Sequence, residues 1–171
     1  DHALGCLKAF FACNKDGITR NFNLADYRRE GEQIIIATDA SPTRLGGWIS
    51  VNGMITGVFS SPVTAMNERI LGRRSRTSEG QQTWELLAIL VSLRLWISPG
   101  RQVQLKLVGD NTGALTLALK LRPKCRTMAV LAREIALTIS HMSFPAAMEH
   151  TPGVAHILAD KLSRVDPDQD P

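Results

Sequence analysis

The stretch QIIIATDASPTRLGGW, residues 33–48, decides how the rest of the chain is interpreted. The three consecutive isoleucines, Ile34 to Ile36, predict a buried strand, because β-branched side chains fit a pleated and covered sheet. This strand runs into a carboxylate at Asp39, although no basic residue stands close to it in sequence. A buried carboxylate without a partner is unfavourable, so the sequence indicates that Asp39 has a partner elsewhere.

The patterns after this strand predict a mixed α/β domain. Gly46-Gly47 opens a second strand, and Asn52-Gly53 marks a tight hairpin turn into a third, antiparallel strand. We expect a central sheet covered by helices. The remaining expected elements are a loop at residues 60–78, a helix from Ser78 to about residue 97, a strand at 103–108, a helix capped by Asp110 or Asn111, a helix at 126–141, a strand at 146–150 and a last helix from about Val154.

Length and composition suit one domain with a genuine core. The chain has 171 residues, of which 44% are hydrophobic. The longest apolar run, residues 86–95, is far shorter than the roughly 20 residues of a membrane span, so no membrane partner is expected.

The first residues lack the pattern of a signal peptide and suggest a piece of something longer. Three cysteines without CxxC spacing favour a reducing, intracellular compartment.

Positive charge is concentrated in two stretches. The net charge is +4, and residues 69–76, RILGRRSR, contain four arginines. Residues 111–133 contain five basic residues and no acid. Such clusters favour a polyanionic partner, and the alternative is that they only solvate loops and helix faces.

Four acids stand alone among apolar neighbours: Asp39, Glu85, Asp110 and Asp160. Asp39 and Asp110 each end a predicted strand. If those two strands are parallel and adjacent, their carboxyl ends meet at the edge where open α/β sheets bind ligands. Acids gathered there would repel one another unless divalent cations held them, so the pattern predicts a metal site.

Each acid also has a simpler interpretation. Asp110 could cap a helix, and Asp39 could form a turn with Ser41-Pro42. Glu85 could be a solvated helix residue, and Asp160 could form a surface ion pair with Arg164, four residues later. The joint occurrence of the four acids favours one metal site over four separate causes.

Four segments resemble the signature segments of the ribonuclease H fold, in the version that retroelement and retrovirus polyproteins carry next to reverse transcriptase. They are IIIATDAS followed by GGW, WELLAI, LVGDN and EHTPGVAHILADKLSR. The resemblance covers residues 33–165 and implies an α/β fold with a five-stranded mixed sheet in the order 3-2-1-4-5. Residues 1–32 would be an N-terminal extension, either the tail of a polymerase or connecting segment or a helix packed on this domain. Residues 166–171 would be a disordered acidic tail.

The resemblance also implies the site. Its catalytic and metal-binding acids would be Asp39, Glu85, Asp110 and Asp160, with His150 near the scissile phosphate. The expected nucleic-acid-binding residues are Ser41, Asn111, Arg73, Arg74 and Arg76. Two features depart from the family pattern. His156 stands where retroelement relatives usually have Asn, and the link near residue 122 is too short for the extra basic helix that some members use to grip the hybrid.

The implied activity is two-metal-ion hydrolysis of the RNA strand of RNA/DNA hybrids during reverse transcription. Oxygen ligands favour Mg²⁺, with Mn²⁺ as a substitute. The implied partners are the hybrid and the polymerase domain of the same polyprotein, in the cytoplasm, the nucleus or a virus-like particle. Two alternatives stay open: an integrase-like or resolvase-like nuclease of the same fold, and a non-catalytic scaffold that binds nucleic acid.

Overall fold

A three-stranded meander opens the domain. The computed structural model describes residues 4, 5, 8, 31–74, 78–98, 103–123, 125–140, 146–152 and 156–165. In it, β1 is Glu32–Ala40, β2 is Arg44–Val51 and β3 is Met54–Pro62. Asn52 and Gly53 connect β2 to β3 with positive φ angles of 50° and 86°, which these two residue types tolerate. The predicted hairpin is confirmed.

The sheet is completed by two parallel strands, β4 (Val103–Gly109) and β5 (Ala146–His150). The strand order is β3-β2-β1-β4-β5. β1 pairs antiparallel with β2 and parallel with β4, and β5 continues the parallel part. This arrangement confirms the predicted order 3-2-1-4-5 and the adjacency of the two strands that end in acids.

The predicted loop at residues 60–78 is wrong in part. β3 continues to Pro62, and a helix, α1, spans Ala65–Leu71. Thr64 starts this helix with a capping box, in which its Oγ1 accepts from the Asn67 backbone N–H at 3.3 Å. The Asn67 side chain accepts from the Thr64 backbone N–H at 2.9 Å in return. The Ser, Pro and Arg content of the segment hid this short helix.

The main core lies between the sheet and three helices, α2 (Ser78–Trp96), α3 (Thr112–Lys120) and α4 (Arg126–Ser140). Apolar side chains on every side of α2 are buried, including Trp84, Leu86 and Leu93, as expected for a helix packed against a sheet. The last helix, α5 (Ile157–Ser163), packs against β1 and β2.

Two domain boundaries were predicted beyond this core. The N-terminal extension at residues 1–32 lies outside the described residues, apart from residues 4, 5, 8, 31 and 32. The acidic tail at residues 166–171 lies outside them as well. Among the described helices, none combines the length and the hydropathy that crossing a membrane requires.

Candidate active site

Three of the four predicted acids meet at one edge of the sheet. Asp39 stands near the end of β1, Glu85 lies in the second turn of α2, and Asp110 follows β4. One carboxylate oxygen from each of the three lies within 4.8 Å of the other two. The parallel pairing of β1 with β4 produces this meeting, because it brings the carboxyl ends of the two strands side by side.

The turn after Asp39 is held by Ser41, not by the aspartate. The Ser41 Oγ accepts from the backbone N–H of Arg44 at 2.9 Å and from that of Thr43 at 3.3 Å. The alternative in which Asp39 forms this turn is therefore wrong, and its carboxylate is left to face the other acids. Ser41 itself is buried, and its hydroxyl is hydrogen-bonded within the turn, so its role in binding nucleic acid stays a prediction.

Asn111, and not Asp110, caps α3. The Asn111 Oδ1 accepts from the backbone N–H of Ala114 at 3.0 Å. Asp110 is exposed, and with Asn111 it lines the cavity that contains the acids. Because Asn111 satisfies the helix terminus, Asp110 is available as a ligand.

Gln81 supports Glu85 and was not identified from the sequence. Its Nε2 donates to the Glu85 Oε1 at 3.0 Å and also to the backbone carbonyl of Ala40. The side chain therefore links α2 to the end of β1. Its signal in the sequence was the spacing of four residues from Glu85, which places both side chains on one face of a helix.

The two innermost acids resist ionisation. Glu85 is only 5% exposed, and its burial, together with the nearby charge of Asp39, raises its pKa to about 8, although the Gln81 hydrogen bond opposes the shift. Burial also raises the pKa of Asp39, and the charges of Asp110 and Asp160 add to the effect. A hydrogen bond from Ser163 works in the opposite direction. A bound cation would remove this conflict by pairing the carboxylates.

The acids line an open cavity of about 370 Å³. Its lining is mostly polar and consists of Asp39, Ala40, Gln81, Glu85, Asp110, Asn111, Thr112, Asp160 and Arg164. The acids offer oxygen ligands, and the described residues of the lining include no cysteine or histidine. This chemistry fits Mg²⁺ or Mn²⁺ better than a softer metal.

Asp160 faces the same cavity but stands apart from the three-acid cluster. It is on α5, and its Oδ1 accepts from the Arg164 Nε at 2.7 Å. The ion pair considered as its simpler interpretation is therefore present. Both side chains are well exposed, at 44% for the aspartate and 63% for the arginine, so this pair adds little stability.

The two histidines have different environments. His150 ends β5, is exposed, and places its Nε2 3.0 Å from the backbone carbonyl of Asp110. It lies beside the acids, in an adjoining hollow with Thr112 and Thr116. His156, the departure from the family pattern, is buried, and its Nε2 lies 2.9 Å from the Thr38 carbonyl oxygen.

Among the arginines expected to bind nucleic acid, the two that the structure describes, Arg73 and Arg74, do not line this cavity. Arg73 directs its Nη2 to the Sγ of Cys125 at 3.6 Å, so it packs between α1 and the start of α4. Arg74 is exposed, and Arg76 lies outside the described residues. Two other cations, Lys120 and Arg122, line a hollow that shares Thr112 with the acid cavity.

Several solved structures share this architecture at low sequence identity. LC11-RNase H1, isolated from compost by a metagenomic approach, aligns with a TM-score of 0.61 and 16% identity over 76% of this chain and 91% of that protein. The N-terminal RNase H domain of Rv2228c from Mycobacterium tuberculosis aligns with a TM-score of 0.58 and 12% identity over 77% and 91%. LC11-RNase H1 in complex with an RNA/DNA hybrid aligns with a TM-score of 0.57 and 17% identity over 75% and 92%.

No protein-family model matches the chain, and no curated protein sequence matches it either. The evidence from other proteins is therefore structural, and at these identities it concerns the fold alone. The sheet order and the helices around it agree with those structures. The chain has the ribonuclease H fold.

Proposed function

We propose that the protein is a metal-dependent ribonuclease H that hydrolyses the RNA strand of RNA/DNA hybrids. The observation that carries this proposal is the meeting of Asp39, Glu85 and Asp110 within 4.8 Å at the carboxyl edge of a ribonuclease H sheet. One protein of this fold, LC11-RNase H1, has been solved with such a hybrid. The four sequence segments that resemble the ribonuclease H signature also support the proposal.

The residues present fit a divalent cation. Three clustered carboxylates offer hard oxygen ligands. Burial, and after it the repulsion between these acids, raises the pKa values of Asp39 and Glu85, and a cation bound among them would oppose both effects. Mg²⁺ ions held by Asp39, Glu85, Asp110 and Asp160, with Mn²⁺ as a substitute, would supply an activated water and stabilise the leaving 3′ oxygen.

The four acids would divide this work according to their position. Asp39 would be the central ligand, because it lies against Glu85, Asp110 and the turn of α5 that carries Asp160. Glu85 and Asp110 would complete the metal-binding cluster, and Asp160, on the open side, would contribute its carboxylate in place of its contact with Arg164. His150, beside Asp110, would act near the scissile phosphate.

The grip on the hybrid would come from α3 and the turn that follows it. Lys120 and Arg122 lie along a hollow that begins at Thr112, next to the acids. Their positive charge would favour contacts with phosphates of the bound hybrid. The choice of RNA for cleavage would depend on 2′-hydroxyl contacts across the minor groove. The Arg73 side chain, which is packed against Cys125, would contribute to the fold instead.

We further propose that the domain serves reverse transcription in a retroelement, next to a polymerase domain of the same polyprotein. The support is the resemblance of the segments IIIATDAS, LVGDN and ADKLSR to those of retroelement proteins. A polymerase partner would also supply the binding surface that the short link at residues 121–125 does not.

A cleavage assay with matched variants tests the activity. The 171-residue chain is incubated with labelled RNA/DNA hybrid, double-stranded RNA and double-stranded DNA, in Mg²⁺, in Mn²⁺ and in EDTA. The control for Asp39→Asn is Glu134→Gln, which removes an exposed acid paired with Arg94, away from the cavity lining. We expect metal-dependent cutting of the hybrid RNA alone, retained by Glu134→Gln and lost by Asp39→Asn.

Two results would contradict the proposal. Cleavage of double-stranded DNA would favour an integrase-like or resolvase-like nuclease. Binding of hybrid without cleavage, also when the polymerase domain is supplied, would favour a non-catalytic scaffold. Either result would refute the proposed activity without affecting the assignment of the fold.

A further inference from the structure

Ser163 connects two of the acids in the cavity. It is the last residue of α5, its side chain is completely buried, and its Oγ donates to the Asp39 Oδ2. The same Oγ lies 2.9 Å from the backbone carbonyl oxygen of Asp160. A hydroxyl has one proton to donate, and an ionised carboxylate is the stronger acceptor. Ser163 therefore links the Asp39 side chain to the helical turn that carries Asp160.

A close approach between α5 and β2 makes this contact possible. Gly46 stands opposite Asp39 in the β1–β2 pairing. A Cβ atom at Gly46 would lie 2.3 Å from the Ser163 backbone nitrogen and 2.6 Å from the Leu162 carbonyl carbon. Any larger residue at this position would push the helix away from the sheet. Serine has a short side chain, so its hydroxyl reaches Asp39 only because glycine lets the helix backbone rest on the strand.

The other end of α5 is fixed to the same strand. His156, which precedes the helix, places its Nε2 2.9 Å from the carbonyl oxygen of Thr38, the residue before Asp39. His156 and Ser163 are both buried. The helix is therefore attached to β1 at both of its ends, and the hydroxyl of Ser163 has a fixed position relative to the acids.

We propose that Ser163 is a positioning residue that holds the Asp39 carboxylate in the orientation in which it binds a divalent cation. The proposal rests on the proposed function, since it requires that these acids bind metal. A carboxylate oxygen has two lone pairs, so the hydrogen bond leaves Asp39 able to bind an ion. Hydrogen bonds of this kind orient metal-binding side chains, and removing them weakens metal binding.

Metal binding by serine variants of the 171-residue chain tests this role. Ser163→Ala removes the hydroxyl, and Ser163→Cys keeps a side chain of similar size with a weaker donor. The matched control is Ser92→Ala, because Ser92 is also completely buried and donates to a backbone carbonyl, that of Ile89, at 2.8 Å. The measurements are Mn²⁺ binding by isothermal titration calorimetry, thermal unfolding in EDTA, and kcat and KM on the hybrid.

We expect both Ser163 variants to raise the Mn²⁺ dissociation constant by about tenfold or more, the range found when a partner of a metal ligand is removed. The KM for hybrid stays unchanged and kcat falls, because the substrate contacts are not altered. Ser92→Ala keeps the metal affinity of the wild type even where its unfolding temperature drops. Ser163→Cys keeps a side chain of similar size. A loss of Mn²⁺ affinity in this variant would therefore be due to the weaker hydrogen bond and not to a cavity in the core.

The role is overturned if both Ser163 variants bind Mn²⁺ as tightly as the wild type, or if Ser92→Ala weakens binding equally. These outcomes are distinct from a failure of the proposed function. A wild-type protein that binds Mn²⁺ more tightly than Ser163→Ala but cleaves no hybrid would refute the activity and leave the positioning role. If the wild-type protein cleaves hybrid and Ser163→Ala binds metal as tightly as the wild type, the positioning role is refuted and the activity is supported.

Discussion

The candidate site has two halves that differ in burial. Its buried half contains Asp39 and Glu85, each only 5% exposed, and its open half contains Asp110 and Asp160, which reach solvent. Side chains of the surrounding protein hold the buried half, because Ser163 donates to Asp39 and Gln81 donates to Glu85. In the open half, Asp160 is paired with the exposed Arg164.

This difference separates two properties that the proposed metal-dependent activity would need. Hydrogen bonds fix the geometry of the buried half. Ionising its two acids is unfavourable, because burial raises the pKa values of both. In the open half, the ion pair between Asp160 and Arg164 is exposed to water and can be exchanged at little cost in stability. Substitutions in the buried half should therefore change metal binding and stability together, whereas those in the open half should change metal binding and activity but leave stability nearly unchanged.

The largest expected effect contrasts Asp39→Asn with Asp160→Asn. We expect Asp39→Asn to lower kcat on the hybrid by at least about 100-fold. Removing one preorganised electrostatic group from an active site commonly has an effect of this size. In EDTA at pH 8 the same variant should unfold at a higher temperature than the wild type, because a buried charge is removed. Asp160→Asn should lower kcat less and leave the unfolding temperature unchanged. Equal effects of the two variants on both quantities would contradict the division into halves.

Loss of Gln81 should have the next largest effect. Gln81→Ala removes the donor to Glu85 and to the Ala40 carbonyl, and leaves both acceptors buried. We expect a destabilisation of about 1–3 kcal/mol and a roughly tenfold weaker affinity for Mn²⁺. Chemical denaturation and calorimetric titration measure the two quantities. A variant with normal metal affinity would show that Glu85 is held by packing alone.

The raised pKa of Glu85 gives stability a pH dependence with a definite sign. Its ordinary value is 4.5 and its value in the fold is about 8, so the folded protein favours the neutral acid. The stability from this group is complete below pH 4.5 and is lost as the pH rises through about 8. In EDTA, the free energy of unfolding should fall over this interval, and Glu85→Gln should reduce the fall. A variant with the wild-type slope would assign the pH dependence to other groups.

The smallest effect is expected at His150. Its ring contacts the Asp110 carbonyl from outside the cavity that the acids line. We expect His150→Ala to lower kcat by less than about tenfold, below the usual range for a general acid or base, and to leave Mn²⁺ affinity and unfolding temperature unchanged. Steady-state kinetics at saturating metal measure this effect. A loss as large as that of Asp39→Asn would place the histidine among the essential residues.

The sequence predicted the sheet well, because its signals are local. The isoleucine run, the Asn52-Gly53 turn and the alternation at residues 103–108 each specify a strand without distant information. The helix α1 was missed because its signal is a capping interaction between Thr64 and Asn67 within a segment rich in loop-forming residues. Short helices depend on such contacts more than on periodicity.

The acids were predicted as a set, but their supports were not. Isolation among apolar residues marked Asp39 and Glu85, whereas Gln81 and Ser163 are ordinary polar residues in sequence. The contact of Ser163 with Asp39 joins residues 124 positions apart, and it depends on Gly46 in a third element. The contact of Arg73 with Cys125 was equally hidden, since a basic cluster does not reveal which of its members packs against another element.

The chemistry of the cleaved ends tests the central claim most directly. The wild-type chain is incubated with RNA/DNA hybrid in Mg²⁺, and the RNA fragments are analysed by mass spectrometry. If these acids direct water to the phosphodiester through bound metal, the fragments carry 5′-phosphate and 3′-hydroxyl ends and the DNA strand stays intact. Fragments ending in 2′,3′-cyclic phosphate would mean that the RNA 2′-hydroxyl attacked instead, and would contradict the account.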